Sequence, residues 1–412
     1  MSKQANSRIV LIVTSFPKLS ETFIVSKFTG LLSRGLDVHV VCGKSKKRDW
    51  AAFPKLCENS DARRRVHETW PTTPKLLAAL LLPFGLLRGL VKAPKTTLRY
   101  LSLGYKKFGI SVLKRYYLDQ AIICLKPDIV HFEFGALAVG KTYLKSLLNL
   151  KIGVSFRGYD LNFVGLDQPD YYDEVWKKAD ACHFLGKDLW HRAQARGCPP
   201  EMPHMLIPPG VDLDKFPQIE RPFDEVLGTK VKPIKILSVG RLEWKKGYEF
   251  ALSAMKMLQD QGFTFEYRII GEGEYRTALE FARHQLGIKE RVQFLGALHH
   301  DQVIESLAWA DLFLHSAVSE GFCNAVLEAQ AMGLPVVTSD ADGLAENVAH
   351  GVTGFVVPSR NAEAITDKLI VLARDFDLQR RMGAAGRERV ERLFQLENQI
   401  DSWISFYKEL SI

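Results

Sequence analysis

Short β-branched runs alternate with stretches of helical length along nearly the whole of this 412-residue chain, and that alternation leaves few folds open to it. Strands are predicted at 8–13, 37–42, 128–132, 152–156, 234–239, 265–270, 291–295, 311–314, 335–338 and 354–357. Helical patterns fill 21–34, 110–125, 136–149, 247–261, 274–286 and 361–373. Strand–helix–strand alternation means parallel sheets covered on both faces. Two such series are separated near 199–233 by the Pro-rich stretch CPPEMPHMLIPPGVDLDKFPQIERPF, which has the character of a domain linker. The expected fold class is therefore α/β, with two Rossmann-like doubly wound domains facing a central cleft at the carboxyl ends of their strands. Domains are expected at 1–215 and 216–394. The long helical pattern at 375–410 can cross back, so 395–412 is expected to pack on the first domain.

Composition excludes the non-globular classes. Apolar residues are 47%, charged residues 25% and aromatics 10%, the usage of a soluble globular chain, and the length calls for two cores rather than one. Lys and Arg number 55 against 47 Asp and Glu, a net +8, but 17 basic and only 4 acidic residues lie between Lys44 and Arg115. The rest is mildly acidic. Inside the basic segment runs LLAALLLPFGLLRGLV (76–91), interrupted by Pro83, Gly85, Arg88 and Gly89 and too short to span a bilayer. It suits an interfacial element on anionic lipid. Apolar helices capping the first sheet, with a solvated basic face, are the competing reading, and the charge concentrated where the Leu run lies tilts the balance to the membrane. No interleaved module of aromatics and cations points to nucleic acid.

Cys42, Cys57, Cys124, Cys182, Cys198 and Cys323 form no C-x-x-C pair and no cluster with His, which fits a reducing compartment and gives no zinc signature. The apolar run before Thr14 is too short for a signal peptide. The expected location is cytoplasmic, peripheral at the inner face of the cell membrane.

Loops after strands carry the chemistry. Strand 234–239 ends in Gly240-Arg241-Leu242-Glu243-Trp244-Lys245-Lys246-Gly247 before a helix. Arg241 and Lys246 beside a helix N-terminus make a diphosphate clamp; a solvated basic turn uses the same residues. After strand 311–314 comes Ser316-Ala317-Val318-Ser319-Glu320-Gly321-Phe322-Cys323-Asn324, then a helix carrying Glu328. Eight helical residues rise ~12 Å, too far for two acids to share one proton. Glu320 and Glu328 can instead hold the two ends of an extended ligand whose anionic middle meets the amides of 321–325. A sugar–diphosphate–ribose unit has that layout. An acidic first turn, favoured by the helix dipole, is the ordinary alternative. Gly271-Glu272-Gly273 opens another helix but lacks the third glycine of a dinucleotide fingerprint, so it is a tight turn lining a nucleotide site. Asp340-Ala341-Asp342 is turn chemistry first and a metal pair only distantly.

GRLEWKKG, the segment EGFCNAVLEAQAMGLPVV, the turn IPPGVD at 207–212 and the opening SFPKLSETFI together resemble the family 4 retaining glycosyltransferases, which use nucleotide sugars and have the GT-B fold. The likeness spans all but about 44–110 and is greatest to members assembling bacterial exopolysaccharides and capsular polysaccharides. It implies that Arg241 and Lys246 bind the diphosphate, Glu320 the transferred sugar and Glu328 the ribose. The amides of Gly321, Phe322, Cys323 and Asn324 would cradle sugar and phosphate, with Gly240, Gly271 and Gly273 on the donor side and no metal or other cofactor. Closure of the two domains on each other would exclude water. Where relatives carry His-x-His and His-Gly-x-Asp, this chain has His131-Phe132-Glu133 and Arg157-Gly158-Tyr159-Asp160. His131 and Arg157 are thus expected as catalytic, although a strand-end histidine is as readily core. Arg157 either contacts a sugar hydroxyl or phosphate, or selects a carboxylate-bearing substrate. Ser20, Glu21 and Thr22 form a natural N-cap at the first helix and, with Asp160, are placed on the acceptor side. The expected partners are a nucleotide-sugar donor, an oligosaccharide or lipid-linked acceptor, and an anionic membrane surface through 44–115. A nucleotide-sugar epimerase, a phosphorylase or a non-catalytic sugar-nucleotide-binding protein are the rival readings.

Overall fold

The computed structural model describes residues 7–18, 21–71, 75–219 and 227–412. The chain forms two compact units. One comprises residues up to Leu185, Trp190–Ile207 and Ile400–Ile412; the other comprises Gly186–Leu189 and Pro208–Gln399. Apart from the four residues Gly186–Leu189, the chain leaves the first unit at Ile207/Pro208, where 215/216 was expected, and returns at Ile400, where 395 was expected.

The first unit is built on β1 (Ile9–Ser15), β2 (Val38–Lys44), β3 (Val66–Glu68), β4 (Ile129–Phe132), β5 (Lys151–Phe156), β6 (Ala181–Phe184) and β7 (His204–Leu206). Its sheet order is β3-β2-β1-β4-β5-β6-β7, with every pairing parallel. The second unit has β8 (Ile234–Val239), β9 (Phe265–Ile270), β10 (Val292–Gly296), β11 (Leu312–His315), β12 (Val336–Ser339) and β13 (Gly354–Val357), in parallel order β10-β9-β8-β11-β12-β13. Both are α/β Rossmann-like sheets, and the strand order of each reverses at its first strand. Strands buried on both faces need continuous apolar runs, and IVLIV in β1 and LFL in β11 supply them.

Each predicted strand overlaps one of these, whereas β3, β6 and β7 are additional. They have three or four residues each, too few to display a period. The predicted stretch 375–410 is two helices, Phe376–Leu393 and Leu396–Leu410. Between them the chain leaves the helix to pair with Val211, whose N–H donates to Phe394 O at 2.7 Å and whose carbonyl accepts from Leu396 N at 3.0 Å. Segment 136–149 holds only short helices, Gly135–Ala138 and Leu144–Leu148. The basic segment folds mostly as helices Lys75–Lys92, Pro94–Phe108 and Val112–Leu125. Among the described residues no helix is long and apolar enough to cross a membrane.

Within the first unit, Ile400, Trp403, Phe406, Tyr407 and Leu410 form the buried stripe of the last helix and join the core around β1, β2 and β4. Three of their rings meet His131 of β4 edge-on, at 5.4–5.6 Å between centroids. Gly153 on β5 makes room: a Cβ there would lie 2.9 Å from His131 Nδ1 and 3.3 Å from Phe406. Replacing Trp403 by Ala should therefore lower the unfolding free energy by about 3–5 kcal/mol. The readout is a lower denaturant midpoint at unchanged slope; a loss below about 1 kcal/mol would show that this helix is not core.

Candidate functional site

In the second unit the loops after β8, β9 and β11 are tied together by backbone contacts. Gly240 N donates to Ile270 O at 2.9 Å and Leu242 N to Glu272 O at 3.0 Å. Gly271 has φ +142°, and a Cβ on it would come within 1.9 Å of Gly240 O; on Gly273 it would meet Leu242 O at 2.2 Å. These two glycines answer to the neighbouring backbone. Across the other side, Val318 N donates to Lys245 O at 2.8 Å and Ser316 Oγ to Gly247 O at 2.9 Å.

That zipping brings Lys246 onto Glu320. The Lys246 ammonium donates to the Glu320 carboxylate, both groups being largely buried. His315 Nε2 lies 3.5 Å from the same carboxylate, and Cys323 Sγ is 3.9 Å from His315 Nδ1. Burial opposes ionisation of Glu320, but Lys246 and His315 outweigh it and hold its pKa down to about 2. Burial likewise opposes a charge on His315, and Cys323 and Glu320 outweigh it, raising the imidazole to about 9. The backbone of Glu320 is fixed by Asp342, whose Oδ2 accepts from Glu320 N at 3.1 Å and Ser319 Oγ at 2.6 Å. Asp340 accepts from Ser359 N at 2.7 Å, so both acids of that pair serve turns.

Helix Asn324–Ala331 follows directly. Buried Asn347 clamps its entrance, accepting from Cys323 N at 3.2 Å and donating to Cys323 O at 2.9 Å. The first amides of a helix have no partner inside it, so those from Asn324 onward are available to an anion. Phe322 is buried against Phe394, and Cys323 is buried with its backbone held by Asn347 and its thiol beside His315. Glu328 is half-buried with no ion pair or hydrogen bond to its carboxylate among the described residues. Burial, partly offset by Lys215, raises it to about 7. Arg241 is mostly exposed and paired with Glu243 at 2.5 Å. This unit therefore gathers Gly240, Arg241, Lys246, Gly271, Gly273, Glu320, Gly321–Asn324 and Glu328 on loops at the carboxyl ends of β8, β9 and β11 and the helix after them.

The first unit differs. His131 is fully buried; its Nε2 bonds Ser155 Oγ at 2.8 Å, and Ser155 in turn bonds His183 at 2.9 Å. His131, expected as catalytic, thus lies in the core, its imidazole held neutral by burial and nearby cations. Glu133 is also fully buried, bound by Lys27 Nζ at 2.6 Å and Arg157 at 3.3 Å. Lys27 lies over Trp403 and Arg157 over Phe23, 3.2 and 3.8 Å from the ring centroids. Burial, which outweighs the attraction of Glu133, lowers Lys27 to about 8. Asp160, expected on the acceptor side, is engaged by the backbone of its own unit. It is buried, and its carboxylate accepts from Ala136 N and Arg157 N, each at 3.0 Å. Glu21 occupies the N-cap position but makes no side-chain cap bond; it takes Lys18 at 2.5 Å instead. Thr22 opens the helix exposed, and Ser20 lies outside the described residues.

Sequence reasoning missed His315, Asp342 as a backbone anchor, Asn347, and Lys27 with Glu133. Among the described residues one trio could ligate a metal ion, His315, Glu320 and Cys323, within 4.8 Å of one another. Lys246 already supplies Glu320 with a cation.

Residues 220–389 match the family model for glycosyl transferases group 1. That match lies within the second unit, and the two Rossmann-like sheets have the GT-B fold. Over its length the chain is homologous to the putative colanic acid biosynthesis glycosyltransferase WcaL of Escherichia coli (strain K12), 28% identical over 94% of this chain and 96% of that one. It is also similar to the amylovoran biosynthesis glycosyltransferase AmsK of Erwinia amylovora, 29% identical over 89% and 91%. Among solved structures, HepE of Anabaena in complex with UDP and glucose superposes with a TM-score of 0.71 at 14% identity, covering 98% of this chain and 100% of that one.

The Glu328 environment has a consequence for stability. Its folded pKa of about 7 exceeds the ordinary 4.5, so the ionised folded state is penalised. The penalty is absent below about pH 4.5 and complete above about 7, where it reaches at most about 3 kcal/mol. Glu328→Gln should unfold at higher denaturant than wild type at pH 8 and together with it at pH 4. A difference independent of pH would contradict this environment.

Proposed function

We propose that the chain is a family 4 retaining glycosyltransferase that moves a sugar, of the hexosyl class, from a nucleotide-diphosphate donor to a polysaccharide precursor, lipid-linked, in exopolysaccharide assembly. The observation that carries this is the convergence of Lys246 and Glu320 beside a clamped helix entrance, with Arg241 exposed and Glu328 unpaired nearby. Similarity to WcaL and AmsK, glycosyltransferases of colanic acid and amylovoran biosynthesis, supports the polysaccharide setting, and the likeness to HepE in complex with UDP and glucose supports the donor class.

The diphosphate lies on Arg241, Lys246 and the amides of Gly321, Phe322 and Asn324, the Cys323 amide being taken by Asn347, and the ribose hydroxyls donate to Glu328. Arrival of the diphosphate draws Lys246 from Glu320, whose carboxylate then accepts from the sugar hydroxyls. The bond from C1 to the phosphate oxygen breaks while the acceptor oxygen bonds C1 on the same face, and the acceptor's proton passes to the departing phosphate. Fixed cations and helix amides stabilise the charge that develops on that phosphate, so no metal is required. The acceptor is held by the first unit, near Thr22 and Arg157. There the Glu133–Arg157 pair meets the carboxylate-partner need inside the chain, which disfavours selection of an acidic substrate.

Segment 44–115 is the proposed contact with an anionic membrane at its cytoplasmic face. Leu76, Leu80, Phe84, Leu87 and Val91 are each more than 60% exposed on one helix, amid basic residues. Their spacing puts them on one stripe.

The test is incubation with a panel of nucleotide sugars, following nucleoside diphosphate release with and without lipid-linked acceptor and the anomeric configuration of the product. Release that depends on acceptor, with retained configuration, is expected. Lys246→Ala should lower turnover about 10²–10³-fold, and Glu328→Ala should mainly weaken donor binding. Conversion of the free nucleotide sugar without acceptor, or no turnover with any donor, would overturn the reading.

A further inference from the structure

A cavity of about 310 Å³ opens beside the edge strand of the first sheet, lined by Val66, His67 and Glu68 of β3, Arg88 and Lys92 of helix Lys75–Lys92, and Gln120 and Cys124 of helix Val112–Leu125, among others. That volume is within the range of small-ligand sites. Its polar groups are mostly donors. Arg88 and Lys92 are exposed and make no salt bridge among the described residues. Gln120 is 2% exposed, and its Nε2 has no hydrogen-bond partner. Buried amide donors are nearly always paired, so this one points to a ligand acceptor. Glu68 is the one acid in the lining, and it is exposed. His67 is engaged with His39 at 3.1 Å, and burial together with His39, Arg88 and Lys92 pushes it down to about 4. A neutral imidazole beside two unpaired cations marks a positive potential in the cavity.

The position of these cations is as telling as their charge. On helix Lys75–Lys92, at 3.6 residues per turn, Leu76, Leu80, Phe84, Leu87 and Val91 form the outward stripe and Gly85 and Gly89 face inward. Arg88 and Lys92 fall between the two. An apolar stripe bordered by cations is the arrangement in which acyl chains meet the stripe and phosphates meet the border.

We propose that this cavity is a phospholipid headgroup site, in which Arg88, Lys92 and the buried Gln120 amide hold the phosphate of an anionic lipid while the neighbouring stripe enters the membrane. It rests on the membrane reading given above and adds a discrete, saturable site to it. Adsorption by charge and apolarity alone would be indifferent to Gln120, which is uncharged and buried.

The test is co-sedimentation of the full chain with phosphatidylcholine vesicles containing phosphatidylglycerol, beside calorimetric titration with glycerol 1-phosphate in the absence of vesicles. Gln120→Leu and the double variant Arg88→Gln/Lys92→Gln should each weaken vesicle binding at least fivefold and abolish the glycerol phosphate signal. Lys95→Gln/Lys106→Gln removes the same charge outside the cavity and should weaken vesicle binding less than twofold. Leu80→Ser/Leu87→Ser probes the surface reading by itself: vesicle binding should be lost and glycerol phosphate binding kept. Vesicle binding unchanged in Gln120→Leu and in Arg88→Gln/Lys92→Gln overturns the headgroup site and leaves the membrane reading standing. Wild type that binds glycerol phosphate but no vesicles overturns the lipid as occupant and the membrane reading with it.

Discussion

Lys246 and Glu320 stand 74 positions apart, and nearly everything around the second unit's loop ends serves their meeting. A largely buried ion pair is weak evidence for stability, because desolvating two charges offsets much of their attraction. Its presence here implies another use. The pair is held from behind by Asp342 on the Glu320 backbone and from the side by the Lys245–Val318 hydrogen bond. Neither partner can drift far, so a competitor for one of them releases the other in place. In the proposed function a diphosphate is such a competitor for Lys246, and the sugar attached to it receives the freed carboxylate.

The first unit offers an instructive contrast. It too brings a lysine, an arginine and a glutamate together at the strand ends, but Glu133 is fully buried and both cations rest on aromatic rings. That cluster is closed by Trp403 and Tyr407 of the last helix, whereas the second unit's site is open at Arg241 and Glu328. The two units share a topology and differ in what their loop ends expose. The buried charges of the first unit hold its core elements together, and the proposed donor chemistry is confined to the second.

The sheets were legible because parallel strands buried on both faces must be apolar throughout, and IVLIV and LFL admit little else. Short edge strands such as VHE and HML escaped because three residues carry no period. The break at Phe394–Gln395 escaped because Val211, which causes it, is far away in sequence. The site divides along the same line. Lys246, Glu320 and Glu328 announce themselves through the spacing of charge around glycines. His131 misled because a strand-end histidine has one sequence appearance whether it faces ligand or core, and only the return of Trp403, Phe406 and Tyr407 onto it decides. His315 and Asn347 act through contacts that local patterns do not encode.

The most direct measurement is the affinity of UDP and GDP, nucleoside diphosphates without a sugar, for two single variants. In the proposed function Glu320 competes with the diphosphate for Lys246, so Glu320→Gln should bind the preferred nucleotide more tightly than wild type, and Lys246→Met should bind it more weakly. Equal weakening by both substitutions would contradict the account, since it would make Glu320 a structural support of the pocket and not the group that the ligand displaces.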